Sequence, residues 1–111
     1  DGRVICTPVF FNNVIARVKN FMDRTWALRP KLKDKIGGAI VIGRAFGHQA
    51  AIDAINSFFL KHEIIPVNRG VSAMGFKKGD ARENTQALGQ TEKLARRFLD
   101  LGLVAHHTRE K

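Results

Sequence analysis

The chain has 111 residues, 44% of them hydrophobic and 26% charged, which is room for one small globular domain and too apolar for a disordered chain. Nineteen Lys and Arg against ten Asp and Glu leave a net charge of +9, a field that attracts anionic partners without choosing among them. The single cysteine, Cys6, excludes an internal disulfide and any four-thiolate iron–sulfur cluster held by this segment alone, and no apolar run approaches the roughly eighteen residues that span a membrane.

Those totals fit a reducing, cytoplasmic setting with no membrane partner. The basic residues are scattered along the chain, among them those within 3–35, 77–78 and 96–111, with no block and no aromatic interleaving. A solvated basic surface is therefore expected, with no sequence-specific nucleic-acid binding.

Residues 3–10 (RVICTPVF) form a β-branched run that the spacing predicts as a buried strand ending at Thr7-Pro8. Because Asp1-Gly2 leads at once into this run, residue 1 is expected to be a cut inside a larger protein. Asn12 or Asn13 can cap a helix through about Thr25, with Val14, Val18, Phe21 and Met22 recurring on one face. A polar connector, 27–35, precedes Ile36–Gly43 (IGGAIVIG), a continuous apolar run suited to a strand covered on both faces. A second helix is predicted from His48 to Lys61, burying Ala51, Ile52, Ile55 and Phe59. Residues 63–68 read as a third strand, 69–80 as a glycine-bearing loop, and 81–101 as a last helix with Leu88, Thr91, Ala95, Phe98 and Leu99 on its buried face. Gly102 is expected to stop that helix and 102–111 to form a polar tail.

Strand and helix alternating three times predict right-handed crossovers in a parallel sheet covered by helices on both faces. A three-stranded sheet has a raw edge, so the first strand should be an inner one that lacks its partner. Ligands of such sheets sit beyond the carboxyl ends of the strands, which directs attention to the loops after the three strands, and above all to the first two. The first, Thr7-Pro8-Val9-Phe10-Phe11-Asn12-Asn13, offers aromatic faces and amide groups suited to a planar ligand with a hydrogen-bonding edge, although the same residues are also ordinary turn chemistry. The second, Gly43-Arg44-Ala45-Phe46-Gly47-His48, has glycines that permit close backbone approach. It is neither a GxGxxG fingerprint nor a phosphate loop of the GxxxxGK type. His48 has no second ligand at i+3 or i+4, His106 and His107 are adjacent in the tail, and Asp23 and Asp53 form no pair, so neither metal chemistry nor carboxylate acid–base catalysis is predicted.

Thr7-Pro8-Val9-Phe10-Phe11-Asn12-Asn13-Val14 followed by Lys19-Asn20-Phe21-Met22-Asp23-Arg24-Thr25 resembles the flavin loop and helix of the NADPH-dependent FMN reductase family, with its iron–sulfur flavoprotein and quinone reductase branches. Ile40-Val41-Ile42-Gly43, Gly47-His48-Gln49 and the helix ending Phe59–Ile65 are similar to the family's next loop, except that His48 stands where a second glycine is usual and Ala50 where glutamate is usual. The resemblance implies a flavodoxin-like three-layer α/β/α fold with a parallel sheet, of which residues 1–101 are the C-terminal part, without the N-terminal strands and phosphate loop. It implies an FMN-binding oxidoreductase or electron carrier, with FMN near Phe10, residues Thr7 to Asn13 lining the isoalloxazine and Gly43 to His48 approaching its pyrimidine side. NAD(P)H or a protein is the implied electron donor, a homodimer or homotetramer the implied assembly, and a [4Fe-4S] cluster is possible only from residues upstream of this chain. The competing reading is a basic α/β interaction module without flavin chemistry.

Overall fold

A computed structural model describes residues 2–76 and 79–110, with side chains of the last helix described through Val104. The central strand, β3 (Ile36–Gly43), follows β1 (Gly2–Phe10) and the short β2 (Asn13–Val14), and is followed by β4 (Ile65–Pro66) and β5 (Val71–Met74). β1 runs parallel to β3 from Gly2↔Ile36 to Pro8↔Ile42. β4 and β5 both lie on the other side of β3, β4 beside Ile36 and Gly37 and β5 beside Ile40 to Gly43.

Helices cover both faces because the side chains of a strand alternate. Ala39 and Val41 join Ala51, Ile52, Ile55 and Phe59 of α2 (His48–Lys61), together with Met22 of α1 (Ala16–Arg24), in one core. On the opposite face Ile36, Val71 and Ala73 pack with Ala87 and Leu94 of α4 (Thr85–Glu110). Two glycines of β3 let aromatic rings lie flat on the sheet: a Cβ on Gly37 would come within 2.8 Å of the Phe59 ring, and one on Gly38 within 2.8 Å of Phe98. The result is the three-layer α/β/α arrangement expected, and β3 and α2 occupy the ranges predicted for them.

Elsewhere the structure corrects the sequence reading. β1 does not stop at Thr7-Pro8 but continues to Phe10. Pro8 is tolerated there because the side of β1 away from β3 has, along 2–8, no strand partner among the described residues. Neither Asn12 nor Asn13 caps a helix. Phe11 and Asn12 instead take left-handed torsions (φ 51° and 60°) and turn the chain into β2, which pairs antiparallel with the end of β1. Two successive positive φ angles are those of the tight hairpin turn that matches strand twist. α1 therefore begins only at Ala16, and Phe21, predicted to be buried, is 56% exposed.

The predicted loop 69–80 contains β5 and the short helix α3 (Asp80–Glu83). The third strand is thus split in two around Gly70 (φ 97°), whose N–H donates to the Asn68 side chain. α4 begins at Thr85 after Asn84, whose side chain accepts the Ala87 N–H in a capping geometry. Its buried positions are Ala87 and Leu94, with Phe98 and Leu101 packed beside them, whereas Leu88, Ala95 and Leu99 face outward. Gly102 lies inside the helix and does not end it: one interior glycine costs about 1 kcal/mol, which a helix of 26 residues absorbs.

Candidate functional site

The loops after β1, β3 and β5 all emerge at the same end of the sheet, the carboxyl end, as parallel pairing requires. The first two are in direct contact. A Cβ on Gly47 would lie 2.5 Å from Asn12 Oδ1, 2.8 Å from its Cα and 3.1 Å from Val9. Gly47 has φ 88°, so a side chain there is opposed both by the torsion and by the hairpin backbone. Gly43 is similarly hemmed in by His48 at 3.1 Å and Val9 at 3.2 Å. The hairpin tip and the β3–α2 loop therefore form one continuous ledge.

The ledge presents flat apolar faces. Phe10 is 62% exposed, Phe46 86%, and Phe11 fully so. These rings protrude because the hairpin and the glycine-flanked loop lift them beyond the last covered residues of the sheet. Exposed apolar patches are often functional, which makes the ledge a candidate site. Asn13 contributes less than its position suggested, because its Oδ1 accepts the Val14 N–H at 2.8 Å and holds the hairpin. Pro8, Arg44 and Ala45 lie along the two limbs of the ledge.

Two of the predicted site residues are buried supports. Thr7 is 1% exposed, and its hydroxyl donates to the Pro8 carbonyl at 2.8 Å. The His48 ring donates from Nε2 to the Ala73 carbonyl at 3.0 Å, tying the start of α2 to β5. A carbonyl can only accept, so this bond fixes the proton on Nε2.

The third loop, Gly75-Phe76, follows β5 and adds residues beyond the candidates of the first two. The Gly75 N–H donates to the Gly43 carbonyl at 3.1 Å and the Phe76 N–H to Asp80 at 3.0 Å, and the Arg44 guanidinium lies 5.4 Å from the Phe76 ring centre. Phe76 and Met74 are also exposed, so the aromatic surface extends across the end of β5. Its signal was present in the sequence, an aromatic after an apolar run within the glycine-bearing loop 69–80, but the short strand β5 inside that loop was missed. The lysines at 77 and 78 lie outside the described residues, as do the side chains of His106 and His107.

A parallel sheet between two helical layers, with glycine-bearing and aromatic loops at its carboxyl end, defines a flavodoxin-like protein. The match to the model of the NADPH-dependent FMN reductase family covers residues 1–79, and the chain belongs to that family. It is 31% identical to an iron–sulfur flavoprotein of Methanocaldococcus jannaschii, over 91% of this chain and 58% of the relative. It is 28% identical to the iron–sulfur flavoprotein of Methanosarcina thermophila, over 100% of this chain and 61% of the relative. The chain thus spans about three-fifths of the length of these relatives. In fold it is similar to the flavodoxin-like, WrbA-like protein of Agrobacterium tumefaciens, with a TM-score of 0.63 at 14% identity, covering 98% of this chain and 66% of the other.

Proposed function

We propose that this chain supplies the isoalloxazine side of an FMN site in an NAD(P)H-dependent flavin oxidoreductase. The observation that carries this reading is the close approach of Gly47 to Asn12, which joins the two glycine- and aromatic-bearing loops into one ledge at the carboxyl end of the parallel sheet. Family membership and the iron–sulfur flavoprotein relatives point the same way. The geometry fits a flat heteroaromatic group. Exposed rings at Phe10, Phe11 and Phe46 offer faces against which it can stack, and a backbone without side chains at Gly43 and Gly47 permits close approach.

When bound, FMN would supply the hydride or electron transfer itself. Residues Thr7 to Asn13 and Gly43 to His48 would hold and orient it. Thr7 and His48 would act from beneath, by fixing the Pro8 carbonyl and the Ala73 carbonyl respectively. The +9 net charge would draw in a phosphate-bearing reductant such as NAD(P)H, or an acidic electron-donor protein. A [4Fe-4S] cluster would need thiolates from outside this chain, because Cys6 is its only cysteine. A homodimer or homotetramer is the proposed assembly.

Fluorescence titration of the whole protein with FMN tests the site. Phe10→Ala should weaken binding about two- to tenfold, from a ring contact worth about 0.5–1.5 kcal/mol. Gly47→Ala should weaken it more, because the added methyl displaces the hairpin from the ledge. Unchanged affinity in both variants would refute the assignment.

A further inference from the structure

The electrostatics of the ledge rest on one side chain. Apart from the buried His48 ring, Arg44 is the only ionisable side chain in Thr7–Asn13 and Gly43–His48, and neither stretch holds an acidic residue. Arg44 is exposed, and no carboxylate of the described residues stands within ion-pair distance of its guanidinium. What holds it is a ring. The Gly75 N–H bond to the Gly43 carbonyl brings the third loop alongside residue 44, and the guanidinium lies 5.4 Å from the centre of the Phe76 ring. Asp80, in the same neighbourhood, accepts the Phe76 N–H. A cation held over an aromatic face is restrained without being neutralised, because the ring contributes a quadrupole and no counter-charge.

A second positive source lies at the same place. Helix α2 begins at His48, directly after the loop, with Gly47 as an N-cap that has no side chain to bond the first N–H groups and with no acidic residue in its first turn. The partial positive charge of a helix N-terminus is therefore left unopposed at the ledge. Arg44 sits between Gly43 and Gly47, the two positions whose lack of a side chain permits close approach.

We infer that Arg44 tunes the redox poise of the site, making bound FMN easier to reduce by favouring its reduced over its oxidised form. The inference deepens the FMN reading given above and rests on it. Two electrons and one proton added to an oxidised isoalloxazine leave one extra negative charge on the ring above neutral pH. NAD(P)H can supply both electrons and the proton as a hydride, itself becoming NAD(P)+. The oxidised ring carries no such charge, so a nearby cation attracts one redox state more than the other, and that difference is a shift in potential. At an effective dielectric of about 20, unit charges within about 10 Å of each other change an equilibrium by at least about tenfold before salt screens them.

The test measures the two-electron potential of FMN in the whole FMN-loaded protein, by titration against a reference dye above neutral pH and at low ionic strength, beside the affinity for oxidised FMN. Arg44→Gln should weaken reduced relative to oxidised FMN at least about fivefold, which for two electrons lowers the potential by about 20 mV. Arg44→Glu should lower it further, and Arg44→Lys, which keeps the charge, should stay within about twofold of the unsubstituted protein, or about 9 mV. A smaller fall in Arg44→Gln with FMN still bound would overturn the inference and leave the FMN reading standing. So would equal weakening of both redox states, which marks a merely structural role, or a fall in Arg44→Lys as large as in Arg44→Gln. Failure of the unsubstituted protein to bind FMN would remove both. The exposed Arg44 side chain takes no part in the core, and the Gln, Glu and Lys variants form a charge series, so the trend can be read even if one of them is lost.

Discussion

His62 shows how one side chain ties acidity to stability. Burial, and then the neighbouring Arg29 charge, lower its pKa from the ordinary value of 6.5. The folded state therefore favours the neutral ring, whose Nε2–H donates to the Thr25 hydroxyl. A depressed folded pKa gives stability that is complete above 6.5 and is lost as the pH falls from there toward the folded value. The urea midpoint is expected to fall on acidification through this window, and His62→Gln should flatten that part of the profile. An identical slope in the variant would show that other groups carry it. Phe59 is a simpler case: it is fully buried against Gly37, and Phe59→Ala should cost about 3–5 kcal/mol in denaturant unfolding. Phe11 is the reverse, an exposed aromatic held at φ 51°, where a residue with a side chain is strained by about 1–3 kcal/mol. Phe11→Gly is expected to raise the melting temperature while weakening FMN binding. A rise in both would mean that the ring is not held there for the flavin.

Among the elements, α4 is the one whose orientation periodicity misjudged. The sequence reading grouped Leu88, Ala95 and Leu99 with Phe98, although Ala87 and Leu94 also recur with Phe98 at helical spacing. The choice was made by the sheet, where Gly38 leaves a hollow that Leu94 and Phe98 fill. Leu94→Ala should therefore destabilise by about 2–5 kcal/mol and Leu99→Ala by no more than about 0.5 kcal/mol. Equal losses in thermal unfolding would contradict this packing. The hairpin was missed for a related reason: Phe11-Asn12 is not one of the glycine-containing pairs that announce such a turn, and Asn before an apolar run reads equally well as a helix cap. β5 is a four-residue strand bounded by Gly70 and Gly75, too short for alternation to distinguish it from a loop.

At the scale of the molecule, the outer side of β1 is its most consequential feature. Along 2–8 it has no strand partner among the described residues, and on the α4 face Val4 is half exposed and Cys6 exposed. Unpaired strand edges pair with whatever strand reaches them. These 111 residues should self-associate in size-exclusion chromatography, and they should bind FMN weakly. A phosphate cradle is worth about 1.5–3 kcal/mol for each charge-assisted bond, and neither the Thr7–Asn13 nor the Gly43–His48 loop has the pattern of a phosphate loop. A soluble monomer with submicromolar FMN affinity would contradict both expectations.

The central strand and the helix after it could be read from the sequence to the residue, because an unbroken apolar run and a 3.6-residue stripe each have one good structural solution. Parallel order, two helical layers and the two loops at the carboxyl end followed from that alternation, and the resemblance at Thr7–Thr25 named the family. Which face α4 buries, where the hairpin turns and which loops touch were decided only by packing. Gly47 could be recognised as a glycine in a loop, but its need to be one lies in Asn12, thirty-five positions away. The cavity between α1 and α2, which Met22 and Phe58 help to line, was likewise invisible in the chain, since it exists only where the two helices come together.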